Sequence, residues 1–436
     1  MGNFKFAMTL LVKEYKKSAF YALTMVFAIA VCFIFFNIMN NDLLADPGAV
    51  VGGATWNQVN VPLSTTLSII INCFCSIMII IANSFFISRK TNEIAIMTLS
   101  GNSSFKSTKY LIYQTFVLLL IAAPIGLALG MAVTPISNYW MFHYLGIEAS
   151  IYHIPSAAFM QTIVVVAMIL VALCVFASGY IYRNDISSLL QQEKAMDFSD
   201  KRKLVIPSAV YLFLYVFGIV MMFMNEHSAT AYIAPTGVGI VGAIGLIRYA
   251  LPEYIKKFKE KKLLEKRYAL IYVSNLGYSI QRAILLISLM MFSVTGMIAA
   301  IAANQGAPRE YITGVIGYIV IIILLITSIV YKFCMEAQTR KTLFFNLWKI
   351  GYTRKEITKI IKYEVFYFYL VLLLIPMIYI IIISGCFIYH GEMSVAFALG
   401  VIGVYFIPVV CSGLITYYNY KKAVVAPIHG GKNDGK

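Results

Sequence analysis

A nucleotide site needs a glycine-rich turn whose backbone amides cradle phosphates, with a lysine reaching the terminal phosphate. The nearest approach in this chain is Gly101-Asn102-Ser103-Ser104-Phe105-Lys106-Ser107. It lacks the glycine before the lysine and follows an apolar stretch of helical length rather than a strand, so it is expected to bind no phosphate. Gly430-Gly431-Lys432, in a short polar terminus, is no better. Redox or zinc chemistry would use paired cysteines, but Cys32, Cys73, Cys75, Cys174, Cys334, Cys386 and Cys411 all fall within or at the ends of apolar stretches. Cys73 and Cys75, two apart, would point to different faces of a helix. His143, His153, His227 and His390 invite a metal or haem reading, yet none of them has the i, i+4 spacing that puts two ligands on one helical face. No catalytic, cofactor or metal residue is assigned, and the chain is not expected to be an enzyme.

The elements that carry these residues are apolar stretches at 19–41, 64–87, 111–136, 158–181, 205–225, 231–250, 283–303, 312–333, 364–386 and 394–417. Each has the length, about 20 residues, that a helix needs to cross a hydrocarbon core of about 30 Å. With 60% hydrophobic residues, the chain is predicted to be an all-α polytopic membrane protein of about ten transmembrane helices. The first stretch is of full spanning length with no small-residue cleavage site after it, so a cleavable signal peptide is not expected.

Charge orients the map. Of the 35 Lys and Arg residues, all but Arg309 fall on segments that would face one side of the membrane. The positive-inside rule makes that side, and both termini, cytoplasmic, with a net +21 inside and −5 outside. Basic residues punctuate helices and do not gather with aromatics into a groove-sized patch, which argues against nucleic acid as a partner. The run from Glu253 to Arg267 could meet anionic lipid or form an interfacial helix, as Phe4 to Ser18 could before the first span. None of the 19 Asp and Glu residues falls near the middle of a span; Glu336 and Glu364 lie at cytoplasmic helix ends. Ion-coupled carriers usually keep ionisable groups at mid-membrane. Power is therefore expected from an ATPase on another chain.

Sliding the sequence by 250 residues sets Lys90 on Arg340, Gly101 on Gly351, Lys109 on Lys359, Tyr113 on Tyr363 and Gln114 on Glu364. Pro124 and Pro376 then fall two residues out of register. Helices one to four and seven to ten are read as parallel repeats, with five and six a bridging pair. The organisation expected is 1–190 for the first repeat, 191–267 for the bridging pair and a basic cytoplasmic segment, 268–425 for the second repeat, and 426–436 for a polar tail. Both repeats have the same loop: a basic cluster, a short amphipathic stretch closed by glycine, then more basic residues. Ile94 and Met97, with Ser100, share one helical face before Gly101; Phe344, Leu347 and Trp348 share one before Gly351. Such faces are expected to dock into a partner.

These residues resemble the FtsX-like permeases, membrane subunits of ABC transporters whose loop after the second helix reads roughly R-K-x-x-E-I-x-x-x-x-x-x-G. Arg89, Lys90, Glu93, Ile94 and Gly101 match in the first copy; Arg340, Lys341, Ile350 and Gly351 stand in the second, where Leu343 takes the Glu position. Ten helices in two such units around a bridging pair look like the bacitracin-exporter type, which is found in bacteria with antimicrobial-peptide resistance. That type has a large extracellular domain between helices seven and eight, whereas here Ala303 to Thr313 joins them. The resemblance implies a permease subunit in the cell membrane that couples ATP hydrolysis by a cytoplasmic ABC ATPase, two copies per permease, to export or membrane extraction of an amphipathic substrate such as an antimicrobial peptide or lipid-like molecule. ATP would be bound by the partner, and the coupling residues would be Arg89, Lys90, Glu93, Ile94, Met97, Gly101, Arg340, Lys341, Phe344, Leu347 and Gly351. The alternative is a mechanotransmission subunit that reports to a histidine kinase or drives an extracellular partner.

Overall fold

The computed structural model describes residues 3–13, 15–44, 63–183, 207–224, 233–251, 253–255, 257, 267–304 and 308–430. Its longer elements are helices: α1 (Asn3–Lys13), α2 (Tyr15–Asn40), α3 (Leu63–Arg89), α4 (Thr91–Leu99), α5 (Ser104–Leu145), α6 (Ser156–Arg183), α7 (Ser208–Met224), α8 (Ile233–Gly245), α9 (Arg267–Ala303), α10 (Pro308–Lys349), α11 (Arg354–Tyr389) and α12 (Val395–Gly430). Among the described residues nine helices are long and apolar enough to cross a membrane. The shorter apolar helix Ser208–Met224 stands where the fifth span is expected. The protein is an all-α polytopic membrane protein.

Contacts divide the chain into two units, Met1–Asp197 with Gln305–Val320, and Phe198–Asn304 with Ile321–Lys436. In the first, α2 is the hub, packing on α3, α5 and α6. It runs alongside α5 at glycine distance: a Cβ added to Gly126 would lie 2.9 Å from Ile29 Cβ and 3.0 Å from the Val26 carbonyl, and Gly130 meets Phe33 in the same way. The Gly126-x-x-x-Gly130 spacing is thus a packing seam. Gly126→Ala should overpack it and cost about 1 to 3 kcal/mol, read as a lower unfolding midpoint of the detergent-solubilised protein; an unchanged midpoint would mean that the seam is loose.

Helix α5 has 42 residues and runs well past the expected span 111–136 at both ends. The expected outer loop 137–157 shrinks accordingly to residues 146–155. The extra turns are held by amides: Asn37 Nδ2 donates to Asn138 Oδ1 at 2.9 Å, and Asn138 Nδ2 donates to the Ile151 carbonyl at 2.9 Å. Asn40 and Gln161 exchange amide bonds at 2.7 and 3.2 Å beside them. The connection expected at Ala303 to Thr313 is also shorter, because α10 starts at Pro308, where a missing backbone N–H costs nothing in a first turn. Most of the other long outer loop, and the segments 184–206 and 258–266, lie outside the described residues.

In the second unit α11 packs on both α9 and α12. Helices α7 and α8 pack backbone to backbone, since a Cβ on Gly242 would sit 2.4 Å from the Tyr215 amide nitrogen. Tyr379 on α11 donates to the Thr236 carbonyl at 3.2 Å, which ties α8 to the unit.

Candidate functional site

Both basic loops end in the same turn. Gly101 has φ +83° and Gly351 φ +103°, the left-handed region that only glycine enters without strain. In the first, Gly101 N–H bonds the Thr98 carbonyl at 3.0 Å and Asn102 N–H the Met97 carbonyl at 3.1 Å. In the second, Gly351 N–H bonds the Trp348 carbonyl at 3.0 Å and Tyr352 N–H the Leu347 carbonyl at 3.1 Å. These are the paired bonds that close a helix on a glycine, and all four positions of each turn correspond at the 250-residue offset. The next helix starts at Ser104 in the first loop and at Arg354 in the second, again 250 apart.

The amphipathic faces turn inward, and this corrects the expectation that Ile94, Met97 and Phe344 await a partner. Ile94 is fully buried and Met97 nearly so, in a cluster with Ala7, Ile87, Tyr110, Ala177 and Ile181. Phe344 is fully buried, its ring edge-on to Tyr420 at 6.1 Å. Leu347 and Trp348 are half-buried. The chain covers these faces with α1, α5, α6 and α12. What the tips expose instead is Ile96 (62%), Leu99 (63%) and Ile350 (71%), with Lys341 at the surface as well.

Beneath each tip lies a polar cluster. In the first unit Lys90 is buried and pairs with Glu93 at 2.9 Å. Glu93 also accepts from Tyr110, whose hydroxyl takes a bond from Gln114 Nε2 at 2.9 Å; the same nitrogen reaches the Ala7 carbonyl at 3.1 Å. Thr91 and Tyr180 share a hydroxyl bond at 2.9 Å. Glu93, expected among the coupling residues, is paired with Lys90 of the same chain. The Arg89 side chain lies outside the described residues.

The second cluster is larger and fully internal. Arg340, expected at the coupling surface, is buried and donates to Glu364 on α11, to Ser279 Oγ on α9 at 2.9 Å and to Tyr420 on α12 at 3.5 Å. Lys332 pairs with Glu336 at 3.1 Å and donates to the Ser279 carbonyl at 2.7 Å. Glu336 lies 3.6 Å from Arg340, and Asn275 donates to Glu364 at 3.2 Å. Burial works against the charge of Arg340, but the negative potential of Glu364, with Tyr420 and Glu336, holds its pKa above the ordinary guanidinium value. Two positive and two negative groups thus pair directly with one another where α9, α10, α11 and α12 meet, an arrangement that holds helices together.

Residues 65–186, from α3 through α6, match the FtsX-like permease C-terminal family. The chain carries an FtsX-like permease domain. The Bacitracin export permease protein BceB of Bacillus subtilis (strain 168) is 24% identical over 216 residues, 49% of this chain and 32% of that protein. The Uncharacterized ABC transporter permease YvcS of the same organism is 28% identical over 176 residues, 40% of this chain and 26% of that protein. The aligned stretches span about a third of one relative and about a quarter of the other. Within the FtsX-like domain lie the whole first tip and the Lys90, Glu93, Tyr110 and Gln114 cluster.

The acids of the second cluster were seen in the sequence only as helix-end residues. Their signal was the i, i+4 ladder Lys332, Glu336, Arg340 and the pairing of Gln114 with Glu364 in the repeat, which together place four ionisable groups at one helix junction.

Proposed function

We propose that this chain is the membrane subunit of an ATP-driven transporter in which the tips at Gly101 and Gly351 receive force from two separate ATPase chains. The observation that carries this reading is the pair of matching glycine-closed tips, each with exposed apolar side chains beside a basic cluster, one of them inside the FtsX-like permease domain. Exposed aliphatic groups on a charged surface suit a protein partner. Two tips on one chain give one permease to two ATPases. The tips face the cytoplasm in this reading, both termini are inside, and the repeats are 1–190 and 268–425. The relative named for bacitracin export supports an amphipathic, membrane-associated cargo such as a peptide antibiotic or lipid-like molecule, taken up within the membrane or through the short outer loops.

Co-expression with its ATPase should yield a complex of one permease and two ATPase chains by native mass spectrometry. Two permeases per ATPase pair, or no complex at all, would refute the reading. Orientation has its own test. In a variant without native cysteines, single cysteines at Asn57 and Glu392 should react with an impermeant maleimide in intact cells, while cysteines at Ser103 and Lys355 should stay unlabelled. Labelling at either of the last two would invert the map.

A further inference from the structure

One face of α11 is basic near its start, aromatic on the next turns and aliphatic beyond. Lys359 and Lys362 are exposed there, and Tyr363 and Tyr367, each 36% exposed, follow on the same face. The stripe continues through the exposed Leu370, Leu374, Ile378 and Ile381. Tyr272 of α9 leans on both tyrosines, its ring centroid 5.6 Å from Tyr367 in a stacked pair and 5.5 Å from Tyr363. Tyr363 and Tyr367, one turn apart, lie 6.3 Å from each other. Among the described residues none of the three hydroxyls makes a hydrogen bond, and neither lysine has an ion pair or a ring contact. The two acids of α11 are engaged elsewhere: Glu356 by the Thr353 cap and Tyr268, and Glu364 by the buried Arg340.

The equivalent turns of the first unit are built differently. At the 250-residue offset Lys109 and Tyr113 are kept, but Ile112 and Val117 stand at the positions of Lys362 and Tyr367. Lys109 lies over the Phe105 ring at 4.6 Å, and Tyr113 meets Phe4 of α1 edge-on at 5.6 Å. Tyrosine favours a place where one end of its ring is apolar and the other wet, as at the boundary between headgroups and acyl chains. A phosphodiester offers that boundary a negative charge and acceptor oxygens, which suit ammonium and phenol donors. The rings are restrained by stacking before any ligand arrives, which lowers the entropy cost of binding. A soluble protein would meet the lysines but not the aliphatic stripe, which runs along a helix long and apolar enough to cross a membrane. A lipid matches both parts of the face. We propose that Lys359 and Lys362, with Tyr272, Tyr363 and Tyr367, bind the headgroup phosphate of one anionic phospholipid, whose acyl chains lie along Leu370, Leu374 and Ile378. The site goes beyond the transporter reading and holds whichever leaflet it faces.

The test titrates the detergent-purified full chain with dioleoyl phosphatidylglycerol or dioleoyl phosphatidylcholine and counts bound lipid by native mass spectrometry. The first phosphatidylglycerol should bind at least about tenfold more tightly than phosphatidylcholine, because only the former carries net charge for the lysines. Lys359→Gln with Lys362→Gln should weaken that first binding by about 30-fold, given roughly 1 kcal/mol for each basic residue. Tyr363→Phe with Tyr367→Phe keeps the rings and removes two donors, and should weaken it by about threefold or more. Lys106→Gln with Lys109→Gln, an equal loss of charge in the first unit, should leave it unchanged. Equal binding of the two lipids, or equal losses in the two lysine pairs, would overturn the proposal by assigning retention to the apolar stripe or to overall charge. Displacement by millimolar glycerol phosphate would overturn it as well, since the acyl chains would then contribute nothing. Unchanged lipid binding in Lys359→Gln with Lys362→Gln, together with loss of a copurifying ATPase, would assign the lysines to a protein partner instead. Failure of any ATPase to copurify with the parent chain would sink the transporter reading and leave the lipid result standing.

Discussion

Arg340→Ala is expected to destabilise the protein by about 3 to 5 kcal/mol, because it leaves the buried Glu364 without its cation. Arg340 and Glu364 are both inaccessible to solvent, and the aromatic ring of Tyr278, 5.3 Å from the guanidinium, adds a cation–π contact that alanine cannot make. The double variant Arg340→Met with Glu364→Leu removes both charges and keeps the volume. It should recover most of the loss, since apolar replacement of a whole buried pair is often neutral or stabilising. Gln114→Ala, at the matching position of the first unit, removes hydrogen bonds but no charge and should cost only about 0.5 to 1.5 kcal/mol for each. Chemical unfolding in mild detergent, followed by tryptophan fluorescence, gives all three values. A single Arg340→Ala variant as stable as the parent would show that the pair contributes nothing net. A double variant no better than the single would show that the loss comes from packing rather than from an orphaned charge.

Legibility in the sequence followed the range of the forces involved. Span-length apolar stretches and basic loops are properties of contiguous residues, so the helices and their charged ends could be read directly. Gly101 and Gly351 were legible for the same reason, because a positive φ at a helix end is a local demand that few residues other than glycine meet. The faces of the tips were not. Periodicity says that Ile94 and Met97 lie on the apolar side of a helix, but not which neighbour covers that side. The neighbours include Ala7 on α1 and Ala177 and Ile181 on α6, 80 or more residues away in each direction. The buried charges were hidden by a similar limit. Glu336 and Glu364 were legible only as helix-end residues, and the packing of α9, α10, α11 and α12 around Ser279 and Tyr420 makes them internal. The lengths of α5 and the start of α10 were missed because Asn138 and Pro308 act on helix ends through geometry, not through hydrophobicity.

Exchanging the apolar residues of the tips one face at a time should separate docking from folding. Ile96 and Leu99 are the exposed aliphatic side chains of α4, and covering them with a partner would contribute roughly 2 to 4 kcal/mol together, given about 1.5 to 3 kcal/mol for one fully buried side chain and their partial exposure in the free chain. Ile96→Asp with Leu99→Asp should therefore weaken ATPase binding by roughly 30- to 1,000-fold, while the unfolding midpoint of the permease stays where it was. Ile350→Asp should act likewise at the second tip, with a smaller loss because a single side chain is involved. Ile94→Asp is the contrasting case. It puts a carboxylate into an apolar cluster under α1 and should lower stability before it touches binding. Surface plasmon resonance against the immobilised ATPase, paired with a thermal melt of each variant, distinguishes the two losses. If Ile96→Asp with Leu99→Asp binds like the parent, the tips are solvated connections and the transporter reading loses the contact through which ATP would do work. If Ile94→Asp weakens binding with an unchanged melt, the inward face is uncovered during docking, and α4 must then turn to reach the ATPase.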